Sequence, residues 1–423
     1  MIVTVSPSFI QGEVFAPASK SAMQRACALA LMNNGTTTIS NPGKSNDDLA
    51  AQDIIRKCGA SLFPENGQLR VVSDGSIRAG EVIHCGESGL SVRMFTPIIA
   101  LGAVTTTLTG EGSLTKRPMN VFENVLPQLG VSVSTQNGFL PMVIRGPIKP
   151  ENCFVDGSKS SQYVTGILFA LAKSAKKQLT LTVSNLTSRP YVDLSLQMLA
   201  HFGYRIENRD YCNFIILPVD EEKKDILYTT EGDWSGAAFL LVAAATAGKG
   251  VLIKGLEYNS MQADRAIIDV LRQSGVSIKM DETGIMISSQ NQLAGFDFDA
   301  TQCPDLFPPL VALAAFCTGE SVIHGTSRLI TKESNRLSAL IKVFSEMGVA
   351  ISAENDSMFI KGGQGIKGAE VDGHHDHRIV MACAVAALAA NSEMKISGAE
   401  AIDKSYPDFF KQLKLLGADV SLT

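Results

Sequence analysis

Six times along the chain a helical pattern ends in a glycine that is followed at once by alternating apolar residues. The copies are KCGASLF at Gly59, QLGVSVS at Gly130, HFGYRIE at Gly203, QSGVSIK at Gly275, EMGVAIS at Gly348 and LLGADVS at Gly417. Neighbouring glycines stand 71, 73, 72, 73 and 69 residues apart, the regularity of a tandem repeat. A glycine at that point reads as the left-handed residue that closes a helix, and the period-two alternation behind it as a strand. Upstream of each glycine an apolar helix leads into a strand. These helices are expected at 21–32, 91–101, 161–173, 235–247, 306–317 and 378–390. Each unit therefore reads as two helices interleaved with several strands, roughly βαβαββ.

Helices that are apolar all round belong inside a globular lobe with sheets outside them. Six such units in an open row would need polar end caps, which the sequence does not show. Two lobes of three units is the economical arrangement: 16–230 for repeats one to three, and 1–15 plus 231–423 for repeats four to six. The most hydrophilic connection, VDEEKKDILYTTEG at 219–232, is the expected crossover. The last unit ends without its final strand, so the amino-terminal stretch 1–15 is expected to complete the second lobe.

A chain of 423 residues is long enough for two or three domains, and 45% hydrophobic with 19% charged residues is an ordinary globular balance. The net charge of −5 offers no general attraction to nucleic acid or to an anionic membrane. Any anion site must be built locally, against that sign. Eight cysteines form no C-x-x-C pair, and Cys27, Cys317 and Cys383 are expected inside apolar helices as small hydrophobes. That fits a reducing, cytoplasmic setting. The start MIVTVSPSF lacks a signal-peptide pattern, and the apolar runs break before the ~18 residues a membrane span needs.

What stands at the helix starts carries the functional case. In PASKSAMQRA, Ser21 and Gln24 have capping-box spacing, and Lys20, Ser21 and Arg25 crowd one helix N-terminus, a natural anion site. The other starts bring Gly89 and Arg93; Ser160, Ser161 and Gln162; Asp233; Asp305; and Asp376, His377 and Arg378. Each Asp reads as an N-cap, or as a general base if it faces cations. In TKESNRLSAL, Lys332 and Arg336 are four apart and would share a helix face, where like charges repel unless an anion binds. Glu333 sits beside them. LTKRPMN holds Arg117 rigidly before a proline, TSRPYVD offers the hydroxyls of Ser188 and Tyr191, and DKSYPDFF brings Lys404 just before the last helix. GHHDHR does not read as a zinc site, because three histidines in four residues cannot face one ion. GSKSS lacks the upstream glycine of a P-loop.

In this order, PASKSAMQRA, GESGLSVRM, LTGEGSLTKRPMN, SSQYVTGILFALA, SRPYVDLSL, EGDWSGAAFLL, PDLFPPLVALAAF, KESNRL, DHRIVMA and KSYPDFF resemble the EPSP synthase family along the whole chain. The resemblance implies an α/β fold, a two-lobed inside-out α/β barrel with three βαβαββ repeats per lobe, closing over substrate. It implies transfer of the enolpyruvyl group of phosphoenolpyruvate to the 5-hydroxyl of shikimate 3-phosphate, through a tetrahedral intermediate that loses phosphate. No cofactor, metal or covalent enzyme adduct is implied, and the partners are two small molecules acted on by a monomer. Residue by residue, Lys20, Ser21, Arg25, Ser160, Ser161, Gln162, Ser188, Asp305 and Lys332 would hold shikimate 3-phosphate. Lys20, Gly89, Arg117, Gln162, Arg336, Arg378 and Lys404 would hold phosphoenolpyruvate. Asp305 would accept the hydroxyl proton, with Glu333 and Lys20 as proton donors. The chain departs from the family at Glu87-Ser88-Gly89-Leu90, where Asn-Ala-Gly-Thr is common, at Arg328 for Asn, and at Asn335 for Asp.

The alternative is the sister enzyme acting on UDP-N-acetylglucosamine, which carries a reactive Cys in the loop that here reads GEGSLTKRP without one. A DNA clamp would need helices lining a wet basic channel, not apolar ones. A non-catalytic relative is disfavoured by the presence of Lys20, Asp305 and Glu333.

Overall fold

A computed structural model describes residues 1–220, 222–289 and 292–423. Glu221, within the expected crossover, lies outside the described residues. The chain forms two compact units, one of Ala18–Thr230 and one of Met1–Pro17 with Glu231–Thr423.

Within the first unit, three four-stranded sheets share one plan. In repeat two, Val82–His84 runs parallel to Thr105–Thr109, and the core helix Gly89–Ile99 connects them. A second helical segment follows, then the hairpin of Ser132–Gln136 and Phe139–Arg145, whose second strand docks antiparallel on Thr105–Thr109. Repeat three repeats this with Cys153–Asp156, the core helix Ser161–Ser174, Leu179–Ser184, Arg205–Arg209 and Asn213–Leu217. Repeat one has the core helix Lys20–Met32, but its first strand is Ile226–Thr229, far along the chain, parallel to Asn34–Ser40.

The second unit follows the same plan around the core helices Trp234–Ala247, Phe307–Ala314 and His377–Leu388. Repeat four takes its first strand, Ile10–Phe15, from the amino-terminal segment, parallel to Gly248–Lys254. Repeat six is completed by Ile2–Val5, which lies antiparallel between Met394–Ser397 and Val420–Leu422. The sheets are separate, so the inside-out architecture has helices within and independent sheets without, not one continuous barrel wall.

Local chemistry explains the plan. All six repeat glycines have positive φ, from 73° at Gly130 to 112° at Gly59, a conformation that costs a side chain 1–2 kcal/mol by rough measure. Strands such as Phe139–Arg145 alternate exposed and buried residues, so each sheet covers the core with one face. Each unit has its own apolar core, Leu29, Phe95 and Leu168 in the first, Phe239, Leu310 and Val380 in the second. Each such side chain contributes about 1.5–3 kcal/mol by leaving water.

Three local expectations are corrected. The first core helix is capped by Ser19, whose oxygen accepts from the Ala22 amide, not by Ser21. Gln24 makes no capping box because its side chain is buried and accepts from the Ser88 and Ser91 hydroxyls. The fifth core helix ends at Ala314, and Cys317 begins the strand Cys317–His324, where burial alternates only over the last four residues, Ser321–His324. Cys27 and Cys383 do lie in core helices. Among the described residues no helix is long and apolar enough to cross a membrane.

Candidate active site

In the first unit the predicted residues gather around the core-helix starts. Lys20 opens the first core helix and its Nζ pairs with Asp47 Oδ2 at 2.9 Å. Asp47 is aimed by a capping box one residue on: Ser45 and Asp48 bond reciprocally at the start of Asn46–Lys57. That S-x-x-D spacing was the signal by which sequence reasoning could have found Asp47.

Arg25 is buried one turn further. Its Nε donates to Ser195 Oγ at 2.9 Å, Nη1 to the Ser21 carbonyl at 2.8 Å and Nη2 to the Tyr191 carbonyl at 3.2 Å. Burial pulls its guanidinium down to about 10. Ser188 stands at the start of Arg189–His201 in the left-handed region, φ 53°.

Gly89 begins the second core helix, and a methyl built on it would lie 2.8 Å from Arg117 Nη1 and 3.2 Å from Arg93 Nη1. Two guanidinium groups thus lie against a buried helix N-terminus, the combination that favours a phosphate or carboxylate. Arg93 Nη1 also donates to Gln162 Oε1 at 2.9 Å, tying the third core helix, capped by Ser160 with Ser161 as its first residue, to the same place. Glu87 is turned towards Gly112 of the GEGSLTKRP loop.

In the second unit the convergence is tighter. Asp305 sits in the 3-10 turn Pro304–Leu306 that leads into the fifth core helix and makes no N-cap bond. Its Oδ1 accepts from Lys332 Nζ at 3.1 Å and from Arg336 Nη1 at 2.9 Å, and Oδ2 lies 3.3 Å from Arg378 Nη2. Burial opposes its charge, but Arg378, Lys332 and Arg336 outweigh that and hold the carboxyl well below the usual carboxylate range. Asp233 and Asp376, by contrast, do cap their helices, through the Ser235 and Gly236 amides and the Arg378 amide.

Lys332 and Arg336 do not share a helix face. The helix begins only at Arg336, because Asn335 caps it by accepting from the Ser338 amide, and Lys332 lies in the turn before it. Asp305, from the start of the core helix of the same repeat, is the anion that reconciles the two cations. Glu333 Oε2 accepts from Arg336 Nη2 at 2.6 Å. Arg378 Nη2 also donates to Ser235 Oγ at 2.8 Å, and that hydroxyl donates to Asp233 at 2.6 Å. Lys404 is buried at the end of the 3-10 turn Ala399–Lys404, packed against the sixth core helix. Arg328 lies half-buried in Thr326–Leu329, where burial lowers its guanidinium value and the Asp305 charge opposes the shift. Among the described residues no group of three or more His, Cys, Asp or Glu could hold a metal ion.

The comparisons with known proteins agree with one another. A family model described as EPSP synthase (3-phosphoshikimate 1-carboxyvinyltransferase) matches residues 5–413. The chain is 39% identical to a 3-phosphoshikimate 1-carboxyvinyltransferase of Methanococcoides burtonii, covering 100% of both chains. It is 34% identical to the protein of that name from Clostridium kluyveri, covering 99% of this chain and 98% of that one. Among solved structures, EPSP synthase from Acinetobacter baumannii superposes with a TM-score of 0.83 at 24% identity over 100% of both chains. The enolpyruvyl transferase NikO from Streptomyces tendae gives 0.80 at 16% identity over 100% of this chain and 98% of that one. The solved structures speak for the fold, the family model and the full-length relatives for descent, and by them the chain belongs to the EPSP synthase family.

Proposed function

We propose that this chain transfers the carboxyvinyl group of phosphoenolpyruvate to the 5-hydroxyl of shikimate 3-phosphate and releases inorganic phosphate. The observation that carries the reading is a carboxylate, Asp305, ringed within 3.3 Å by Lys332, Arg336 and Arg378 in a chain of this family. Such a ring suits a reaction whose substrates bring phosphates and carboxylates out of water, where convergent cations offset the desolvation.

Lys20, Ser21, Arg25, Ser160, Ser161, Gln162, Ser188, Asp305 and Lys332 are assigned to shikimate 3-phosphate. Lys20, Gly89, Arg117, Gln162, Arg336, Arg378 and Lys404 are assigned to phosphoenolpyruvate. The 5-hydroxyl attacks C2 and gives its proton to Asp305, while C3 gains a proton from Glu333 or Lys20. The tetrahedral adduct then loses phosphate as C3 gives a proton back. A carboxylate held by three cations is a weak base, so Asp305 gains basicity as substrate anions draw Lys332, Arg336 and Arg378 onto themselves. We assign the enzyme to the cytoplasm as a monomer, a setting that buried thiols such as Cys27 and Cys383 suit.

The sister reaction on UDP-N-acetylglucosamine is not favoured, since GEGSLTKRP holds no Cys. Phosphate release from phosphoenolpyruvate, assayed with shikimate 3-phosphate, with UDP-N-acetylglucosamine and with neither, tests the proposal. Release is expected only with the first. Release that ignores shikimate 3-phosphate, or follows the nucleotide sugar, sinks it.

A further inference from the structure

Arg336 meets three carboxylates that differ in their access to water. Nε donates to Asp376 Oδ2 at 2.8 Å and Nη2 to Asp376 Oδ1 at 3.2 Å. Nη2 also donates to Glu333 Oε2 at 2.6 Å, and Nη1 to Asp305 Oδ1 at 2.9 Å. A guanidinium has five N–H donors in one rigid plane. Asp376 and Glu333 take Nε–H and both hydrogens of Nη2, which leaves Nη1 as the remaining edge. The Asp376 side chain is 0% exposed, whereas that of Asp305 is 28% exposed. The Arg336 side chain is itself 1% exposed, so an incoming anion meets Nη1 only by taking the place of Asp305, while buried Asp376 shuts it from the Nε edge. Asp376 is itself fixed, accepting from Ser334 Oγ at 3.0 Å and from the Arg378 amide at 3.0 Å where it caps the sixth core helix.

We propose that Asp376 is a positioning residue for the reaction: it clamps the inner edge of Arg336, turns Nη1 towards the phosphoenolpyruvate anion, and leaves Asp305 as the partner that this anion displaces. The proposal rests on the carboxyvinyl-transfer reading above. A bidentate carboxylate sets both the roll and the depth of a guanidinium, which a single acceptor cannot do. Asp376 thus acts through Arg336 and needs no contact with substrate.

Asp376→Asn is the informative variant. Asn caps a helix about as well as Asp, so the cap survives, but an amide nitrogen now faces a donor where an acceptor stood. Steady-state kinetics should show KM for phosphoenolpyruvate raised about tenfold or more, with KM for shikimate 3-phosphate within about twofold of wild type, the scale of one charge-assisted bond. Ser334→Ala removes one contact to Asp376 and should raise only the phosphoenolpyruvate KM, by about two- to fivefold. Equal rises in both KM values, or lost thermal stability with neither KM moved, would make Asp376 a plain helix cap and overturn the proposal. If Asp376→Asn does not fold, Ser334→Ala decides alone, and an unchanged KM for phosphoenolpyruvate overturns it. Wild-type phosphate release that depends on shikimate 3-phosphate is measured first. Its absence ends the reaction assignment and this proposal together, an outcome distinct from an active wild type whose variants fail to separate the two KM values.

Discussion

Asp305 accepts from Lys332 and Arg336 through one oxygen and faces Arg378 with the other, so removing its charge changes the cations as much as the base. Asp305→Asn keeps the shape and abolishes the proton acceptor. Turnover should fall by about 10²–10⁴, while KM for phosphoenolpyruvate stays level or drops because the cations lose an internal competitor. Turnover equal to wild type would remove Asp305 from the mechanism. Asp48 tests electrostatics of the opposite sign. Burial pushes its carboxyl up to about 7, against the Ser45 hydrogen bonds and the Lys20 charge, with Asp47 adding to the rise. The unfolded value is near 3.9, so below about pH 4 both states are protonated and nothing is lost. Between about 4 and 7 the unfolded chain ionises first, and stability falls as pH rises by about 1.4 kcal/mol per unit. Above about 7 the loss is constant. Asp48→Asn cannot titrate, so its unfolding free energy relative to wild type should climb from pH 4.5 to 7.5 in urea titrations. A flat difference would refute the buried, protonated carboxyl.

At the scale of elements, the core helices of repeats two and three meet where Gly166 faces the carbonyl oxygens of Arg93 and Met94. A Cβ there would lie 2.7 Å from each. Those carbonyls are backbone and cannot swing aside, so Gly166→Ala must part the helices. We expect a loss of about 1–3 kcal/mol, read as a lowered Tm, with kcat also reduced because Arg93 and Gln162 are tied across the same pair. A Tm within about 1 °C of wild type would mean that the crossing absorbs a methyl. The helices themselves were legible in the sequence to within a few residues, since long, mostly apolar helical runs belong in the core of a globular lobe. Their caps were less so. Ser19 and Ser21 are equally good caps by type, and Ser19 won because Gln24, the other half of the supposed box, is drawn to Ser88 and Ser91 of the next repeat.

For the molecule as a whole, each unit contains a strand far in sequence from its sheet: Ile226–Thr229 in the first, and Ile2–Val5 and Ile10–Phe15 in the second. Ile2–Val5 is a central strand, so deleting residues 1–6 leaves Val420–Leu422 without its neighbour. Hydrogen exchange should then accelerate at Glu370–Asp372, Met394–Ser397 and Val420–Leu422, and stay unchanged over 18–230. Uniform acceleration would contradict two separately built cores. The repeat period, the left-handed glycines and the buried helices were determined by the sequence alone, because each depends on backbone preference and polarity within a few neighbouring residues, whereas which of Asp233, Asp305 and Asp376 cap their helices was decided by the fold. The partners of the charges were decided only in three dimensions. Lys332 and Arg336 find Asp305 across 27 and 31 residues, and Arg336 finds Asp376 across 40. Helical spacing relates a charge only to neighbours a turn away, whereas bringing one carboxylate within 3 Å of a guanidinium in another repeat requires the packed cores that hold both.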